Sequence, residues 1–110
     1  LMTPGALADA ARRCVDAGAS ACLVNCVSAT RTLPFVESLL RLDAPVGVYA
    51  NAGSPSDGLG WSAEPDRARR YGEFARQWVD AGVTILGSCC GTGPQHIAML
   101  AKAFGSGQLR

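Results

Sequence analysis

Cys89 and Cys90 are adjacent in the stretch Ile85-Leu86-Gly87-Ser88-Cys89-Cys90-Gly91-Thr92-Gly93-Pro94, where an apolar run gives way to glycines and a helix-starting proline. Cys26 closes a second apolar run, Cys22-Leu23-Val24-Asn25-Cys26. Thiolates are soft ligands that favour zinc, with Zn–S bonds of about 2.3 Å. Three of them leave a fourth tetrahedral position open, the pattern of a catalytic rather than a structural site. A substrate thiol entering that position ionises below its usual ~8.5 and stays nucleophilic on an electron-rich centre. The chemistry implied is alkyl transfer to sulfur. The same three cysteines also read as small buried hydrophobes.

Adjacent ligands carry a geometric condition. Successive side chains of a strand point to opposite faces, so Cys89 and Cys90 reach one ion only if the strand breaks there. A break over 88–90, with Gly91 and Gly93 supplying backbone freedom, would turn both sulfurs inward. The single histidine, His96, lies six residues beyond Cys90 inside a helix-like segment and reads as a capping or packing residue.

The elements that must position these thiols alternate along the chain. Thr3 and Pro4 suit a helix start, with Leu7, Ala10, Ala11, Cys14 and Val15 at helical spacing and Gly18 as the stop. Residues 21–26 predict a strand covered on both faces. A helix over about 33–42 buries Phe35, Val36, Leu39 and Leu40, and a strand follows over 46–50. The Gly-, Ser- and Pro-rich stretch 51–62 predicts a surface loop. Ala68, Tyr71, Phe74, Ala75 and Trp78 form the core stripe of the next helix, with the arginines between 67 and 76 on its wet face. A strand over 83–86 and a last helix burying Ile97, Leu100, Ala101 and Phe104 complete the series. Cys14 and Cys22 read as packing residues.

Strands alternating with helices predict a parallel α/β sheet whose strand C-termini share one edge, the edge where such folds bind ligands. Cys26, Asn51 and the Cys89-Cys90 pair all fall there. Three strands do not close a barrel, which takes about 250 residues. They also leave unpaired sheet edges, so the expectation is a fragment of a larger domain.

Composition narrows the function class. With 10 basic and 9 acidic residues in 110, the chain has no electrostatic case for nucleic acid or a membrane surface. Its apolar runs fall well short of the ~20 residues that span a bilayer. The segment Leu1-Met2-Thr3-Pro4 does not resemble a secretory signal. Five cysteines without a disulfide-like spacing suit a reducing, cytoplasmic setting.

Three ordered blocks carry a family resemblance. Val24-Asn25-Cys26, Tyr49-Ala50-Asn51-Ala52-Gly53 and Gly87-Ser88-Cys89-Cys90-Gly91-Thr92-Gly93-Pro94-Gln95-His96-Ile97 resemble the signatures of zinc-dependent homocysteine S-methyltransferases. The resemblance runs from about residue 7 to 104. It implies the C-terminal part, about strands six to eight, of a (β/α)8 TIM barrel, with residues 1–110 as one partial homocysteine-binding domain. It implies Cys26, Cys89 and Cys90 as zinc ligands, with homocysteine sulfur taking the fourth position before it attacks the donor's methyl group to give methionine. Asn51 corresponds to an asparagine beside the metal, where it would shape the substrate site or offer an oxygen. Implied partners are homocysteine, a methyl donor (S-methylmethionine, S-adenosylmethionine, betaine or methylfolate) and the remainder of the barrel. Ser88 stands where the family usually has glycine, and Ala50 where it usually has proline.

Other readings remain beside this one. Asn51 also suits a turn, and Asn25, next to a ligand, would point away from it in a regular strand. A vicinal Cys89-Cys90 redox switch and a non-catalytic partial barrel are the competing functions. The lack of a Cys-x-x-Cys arrangement counts against the switch.

Overall fold

The computed structural model describes residues 2–53, 59 and 65–105. Helix α1 (Pro4–Asp16) begins where Thr3 Oγ1 accepts the Ala6 N–H at 3.1 Å, with Pro4 in the first turn. It ends just before Gly18, whose φ of 111° turns the chain into strand β1 (Cys22–Ser28). A short 3-10 turn, Ala29–Arg31, leads to α2 (Leu33–Leu39). Buried Thr32 fixes that connection by donating its hydroxyl to Ser28 O at 2.8 Å. Strand β2 (Val46–Asn51), helix α3 (Pro65–Ala81), strand β3 (Ile85–Ser88) and helix α4 (Pro94–Phe104) follow.

The strands form one parallel sheet in the order β1-β2-β3, so the α/β expectation holds. Leu23 pairs with Gly47 and Gly47 with Ile85, while Val24 pairs with Val48 and Val48 with Leu86. Period-2 alternation then sorts the side chains into two faces. Val24, Val46, Val48 and Ala50 join the core with Val36 and Leu39 of α2, Tyr71, Ala75 and Trp78 of α3, and Leu100 and Phe104 of α4. Leu23 and Ile85, on the other face, remain 39% and 38% exposed. They close over Gly47, where an added Cβ would lie 2.7 Å from Ile85 Cβ.

Several sequence expectations shift in detail. β1 is covered on one face only, because the helices pack on the Val24 side. α2 stops at Leu39, with Leu40 as its cap, three residues short of the expected end. β3 begins two residues late, because the Val83 N–H still bonds Trp78 O at 3.0 Å and belongs to the end of α3. α4 turns His96, Leu100 and Phe104 inward and leaves Ile97 47% exposed. Ala101 is exposed too, because α4 packs toward α3, where Arg76 lies 4.5 Å from the Phe104 ring centroid. Cys14 is exposed rather than packed, whereas Cys22 packs against the core. Of the expected 51–62 loop, Asn51 is the last residue of β2, and 54–58 and 60–62 lie outside the described residues. Leu59 is fully buried and donates its N–H to Ala52 O at 2.6 Å.

Candidate metal centre

Alternation alone would split the thiols between the two sheet faces. Asn25, Asn51 and Cys89 fall on the bare face with Leu23 and Ile85, whereas Cys26 and Cys90 fall on the helix-covered one. Two backbone irregularities bring all three sulfurs together. At Cys26, φ is +55°, the only positive value among the described non-glycine residues, and the β1–β2 register slips between Asn25 and Ser28. This is a bulge-like reversal that re-aims one side chain. At the other end, β3 stops at Ser88 and the chain turns through Gly91, whose φ is +78°.

The expected break around Ser88 to Cys90 is therefore present, but only Gly91 uses its conformational freedom. Gly93 is extended, at φ −144°, and serves as the N-cap of α4. The turn is tied by Thr92, whose N–H and hydroxyl both reach Cys89 O, at 3.2 and 2.6 Å. Parallel pairing also continues past β3. Cys89 N–H donates to Ala50 O and Ala52 N–H to Cys90 O, each at 2.9 Å. The two adjacent thiols are thus pinned through their backbone to the two neighbours of Asn51.

Asn51 joins this pair to Cys26. Its Nδ2 donates to Cys26 O at 2.7 Å and lies 3.6 Å from Cys26 Sγ, and its Oδ1 accepts the Gly53 N–H at 2.8 Å. Asn25, expected to point away, has its Oδ1 3.9 Å from Cys89 Sγ, because the reversal at Cys26 lets both neighbours face the same sulfur. Cys22 and Cys14 stay outside the cluster, and all five cysteines are free thiols.

The Sγ atoms of Cys26, Cys89 and Cys90 lie within 4.8 Å of one another. Cys89 Sγ is 3.8 Å from Cys90 Sγ and 2.9 Å from Cys26 Sγ, well beyond a disulfide bond. Tetrahedral bonds of about 2.3 Å to one ion set sulfur–sulfur edges of about 3.8 Å, so the donor set fits a soft metal. In the metal-free arrangement Cys89 Sγ is placed to donate to Cys26 Sγ. That bond from Cys89, then the Asn51 amide and the Cys90 N–H, lower the Cys26 pKa to about 7. Its partner keeps the proton: the bond to Cys26, reinforced by desolvation, pushes Cys89 up to about 11.

Two aromatic residues support the cluster from the core. Tyr71, fully buried, shares its single hydroxyl proton between Gly87 O at 2.8 Å and Ala50 O at 3.1 Å, and burial raises its pKa well above the usual phenol range. The spacing that marked Tyr71 as core held no sign of these bonds. His96 is a cap, as the sequence suggested: its Nδ1 accepts the Gly93 N–H at 3.1 Å. A groove of ≈ 750 Å³ opens beside Cys26, with Leu7, Leu23, Asn25, Phe35 and Asn51 in its walls.

The site is a parallel α/β unit with three thiols gathered at its strand ends, a donor set that could hold a soft metal. The comparisons make the class specific. The model of the homocysteine S-methyltransferase family matches residues 2–104. Homocysteine S-methyltransferase 3 of Arabidopsis thaliana is 30% identical over 102 residues, covering 89% of this chain and 28% of the relative. Homocysteine S-methyltransferase of Escherichia coli K12 is 30% identical over 80 residues, covering 70% of this chain and 26% of the relative. Homocysteine S-methyltransferase YbgG of Bacillus subtilis 168 is 31% identical over 81 residues, covering 71% of this chain and 25% of the relative. The chain belongs to the homocysteine S-methyltransferase family, and it spans about a quarter of the length of these relatives. None of the helices among the described residues is long and apolar enough to cross a membrane.

Proposed function

We propose that residues 1–110 form the zinc-holding, C-terminal part of a (β/α)8 barrel, about strands six to eight, that methylates homocysteine to methionine. The observation that carries the reading is the convergence of Cys26, Cys89 and Cys90 within 4.8 Å at the ends of β1 and β3, in a chain of this family. When bound, zinc would supply the Lewis acidity that lets a thiol ionise at neutral pH. Cys26, Cys89 and Cys90 are the residues that hold it. The remainder of the barrel would cover the bare sheet face that carries Leu23 and Ile85.

The chain's own groups prepare and orient. Asn51 fixes Cys26 by its carbonyl and offers an N–H toward its sulfur, which favours the thiolate a metal ligand must become. With Oδ1 engaged by Gly53, the amide acts by shaping the cluster. The groove beside Cys26 gives the aliphatic part of homocysteine an apolar wall in Leu7 and Phe35. In the transfer, the homocysteine thiol loses its proton to solvent and its sulfur forms a bond to the donor's methyl carbon. The donor–methyl bond breaks, and its electron pair leaves with the donor. S-methylmethionine, S-adenosylmethionine and betaine are onium donors whose onium centre leaves neutral, whereas methylfolate would in addition need a proton on its departing nitrogen.

Metal analysis tests the reading. The intact barrel that contains this chain should take up about one zinc per polypeptide. Replacing Cys26, Cys89 or Cys90 by Ala should abolish stoichiometric uptake. Full zinc content in the triple variant would overturn the assignment. A thiol titration of metal-free chain separates this from a vicinal switch, which would consume Cys89 and Cys90 reversibly and show no metal affinity.

A further inference from the structure

We propose that Tyr71 is a positioning residue for the metal centre: its hydroxyl, held between two strand ends, sets where Cys89 and Cys90 leave the sheet. This rests on the metal-centre reading above. Tyr71 is fully buried, and its hydroxyl bonds backbone rather than a thiol. Its two acceptors belong to the residues that control them. Gly87 O is two residues before Cys89, and Ala50 O also receives the Cys89 N–H, at 2.9 Å. One hydroxyl therefore joins the last turns of β2 and β3 where regular pairing gives way to the thiol-bearing turn.

The far end of that turn is fixed against the same ring. His96 Nδ1 takes the Gly93 N–H, and the His96 ring stands edge-on to Tyr71 with centroids 5.6 Å apart at 83°. Trp78 packs on Tyr71 with the same 5.6 Å and 83°. Two aromatic contacts thus lock the phenol, and its hydroxyl and its face hold the segment 87–93 at both ends. Side chains that orient metal ligands without touching the ion typically set affinity by 10–100-fold. A buried tyrosine that only filled the core would need a partner for its hydroxyl, but not two carbonyls flanking the ligand turn.

The test compares Tyr71→Phe, which keeps the ring, with Phe74→Leu, a core truncation on the same helix stripe. In the intact barrel that contains this chain, zinc affinity is read by chelator competition, the ligand geometry by thiolate-to-metal charge-transfer bands after cobalt substitution, and stability by denaturant unfolding of the metal-free protein. Tyr71→Phe should bind zinc about 10-fold or more weakly, with shifted cobalt bands. Phe74→Leu should unfold more easily yet keep the parent's affinity and bands. Parent-like affinity and spectrum in Tyr71→Phe would overturn the proposal, as would an equal affinity loss in Phe74→Leu. Absence of zinc binding in the parent would sink the metal-centre reading itself, and this proposal with it.

Discussion

The Asn51 side chain holds Cys26 by its carbonyl at 2.7 Å, joining the end of β2 to the one described non-glycine residue whose backbone is left-handed. Cys26 sits in a conformation that costs an L-residue roughly 1–2 kcal/mol. The Asn51 bond helps to hold it there, and with it the direction of the thiol. The two neighbours of Asn51 meanwhile pair with Cys89 and Cys90. Strand β2, which contributes no thiol, is the template on which the ligands of the other two strands are assembled.

Asn51→Ala should therefore weaken zinc binding by about 10-fold, the usual cost of losing a group that orients a ligand. Removing the amide also strands Cys26 O and the Gly53 N–H, at a cost of about 1–3 kcal/mol if water does not replace them. Asn51→Asp should be worse for zinc-free stability at neutral pH than Asn51→Ala, because a carboxylate would face the Cys26 carbonyl and thiolate. Urea unfolding with and without zinc checks both. Asn51→Asp as stable as the parent would show that the amide's N–H is not what matters.

Cys26→Gly and Cys26→Ala should separate chemistry from folding. Both remove a ligand sulfur and should lose stoichiometric zinc. Glycine accepts the positive φ without a Cβ penalty, so the metal-free Gly variant should be the more stable of the two by about 1 kcal/mol. Alanine keeps the strain and has no thiol hydrogen bonds to offset it. Paired denaturation curves read the difference, and the opposite order would mean that the reversal at Cys26 is not strained.

How much of this was legible follows from what each residue's neighbours announce. The turn that brings Cys90 round to Cys89 is flagged by Gly91, a residue that tolerates positive φ. The reversal at Cys26 has no such flag. Val27 and Ser28 continue the strand, and the bulge depends on pairing with Asn51, 25 residues away. α4 shows the same limit. Its period was readable, but its rotation was not, because a buried polar His96 takes the inward position that hydrophobicity assigns to Ile97. Tyr71 was visible as an apolar core residue, while the two carbonyls its hydroxyl meets come from different strands and leave no local trace.

Thiol reactivity of the metal-free chain should report the cluster's electrostatics. With Cys26 lowered to about 7 and Cys89 pushed up to about 11, Cys26 carries the thiolate at neutral pH. Iodoacetamide should label Cys26 ahead of Cys89, with a rate that rises as pH increases through about 7 and then levels. Asn51→Ala removes one of the bonds that favour the thiolate, so its inflection should move to higher pH. Added zinc should protect Cys26. Mass-spectrometric mapping of the label decides the order, and faster labelling of Cys89 would contradict the assigned proton.

Acid sensitivity should trace in part to His96. Burial lowers its pKa, and its Nδ1 is committed to accepting the Gly93 N–H, so the folded chain holds it neutral. The unfolded chain binds that proton near the reference value of about 6.5. Between there and the lower folded pKa the unfolded state carries more protons, so stability should fall as pH drops below about 6.5 and level off once the folded form protonates as well. His96→Gln removes the titration while keeping an acceptor that can reach the Gly93 N–H. Its metal-free stability should be lower than the parent's at pH 7, from imperfect filling of the ring's space, yet flatter on going from pH 6.5 to 5. Denaturant unfolding across that range compares the slopes. Parallel slopes would show that His96 titrates in the folded chain as it does in the unfolded one.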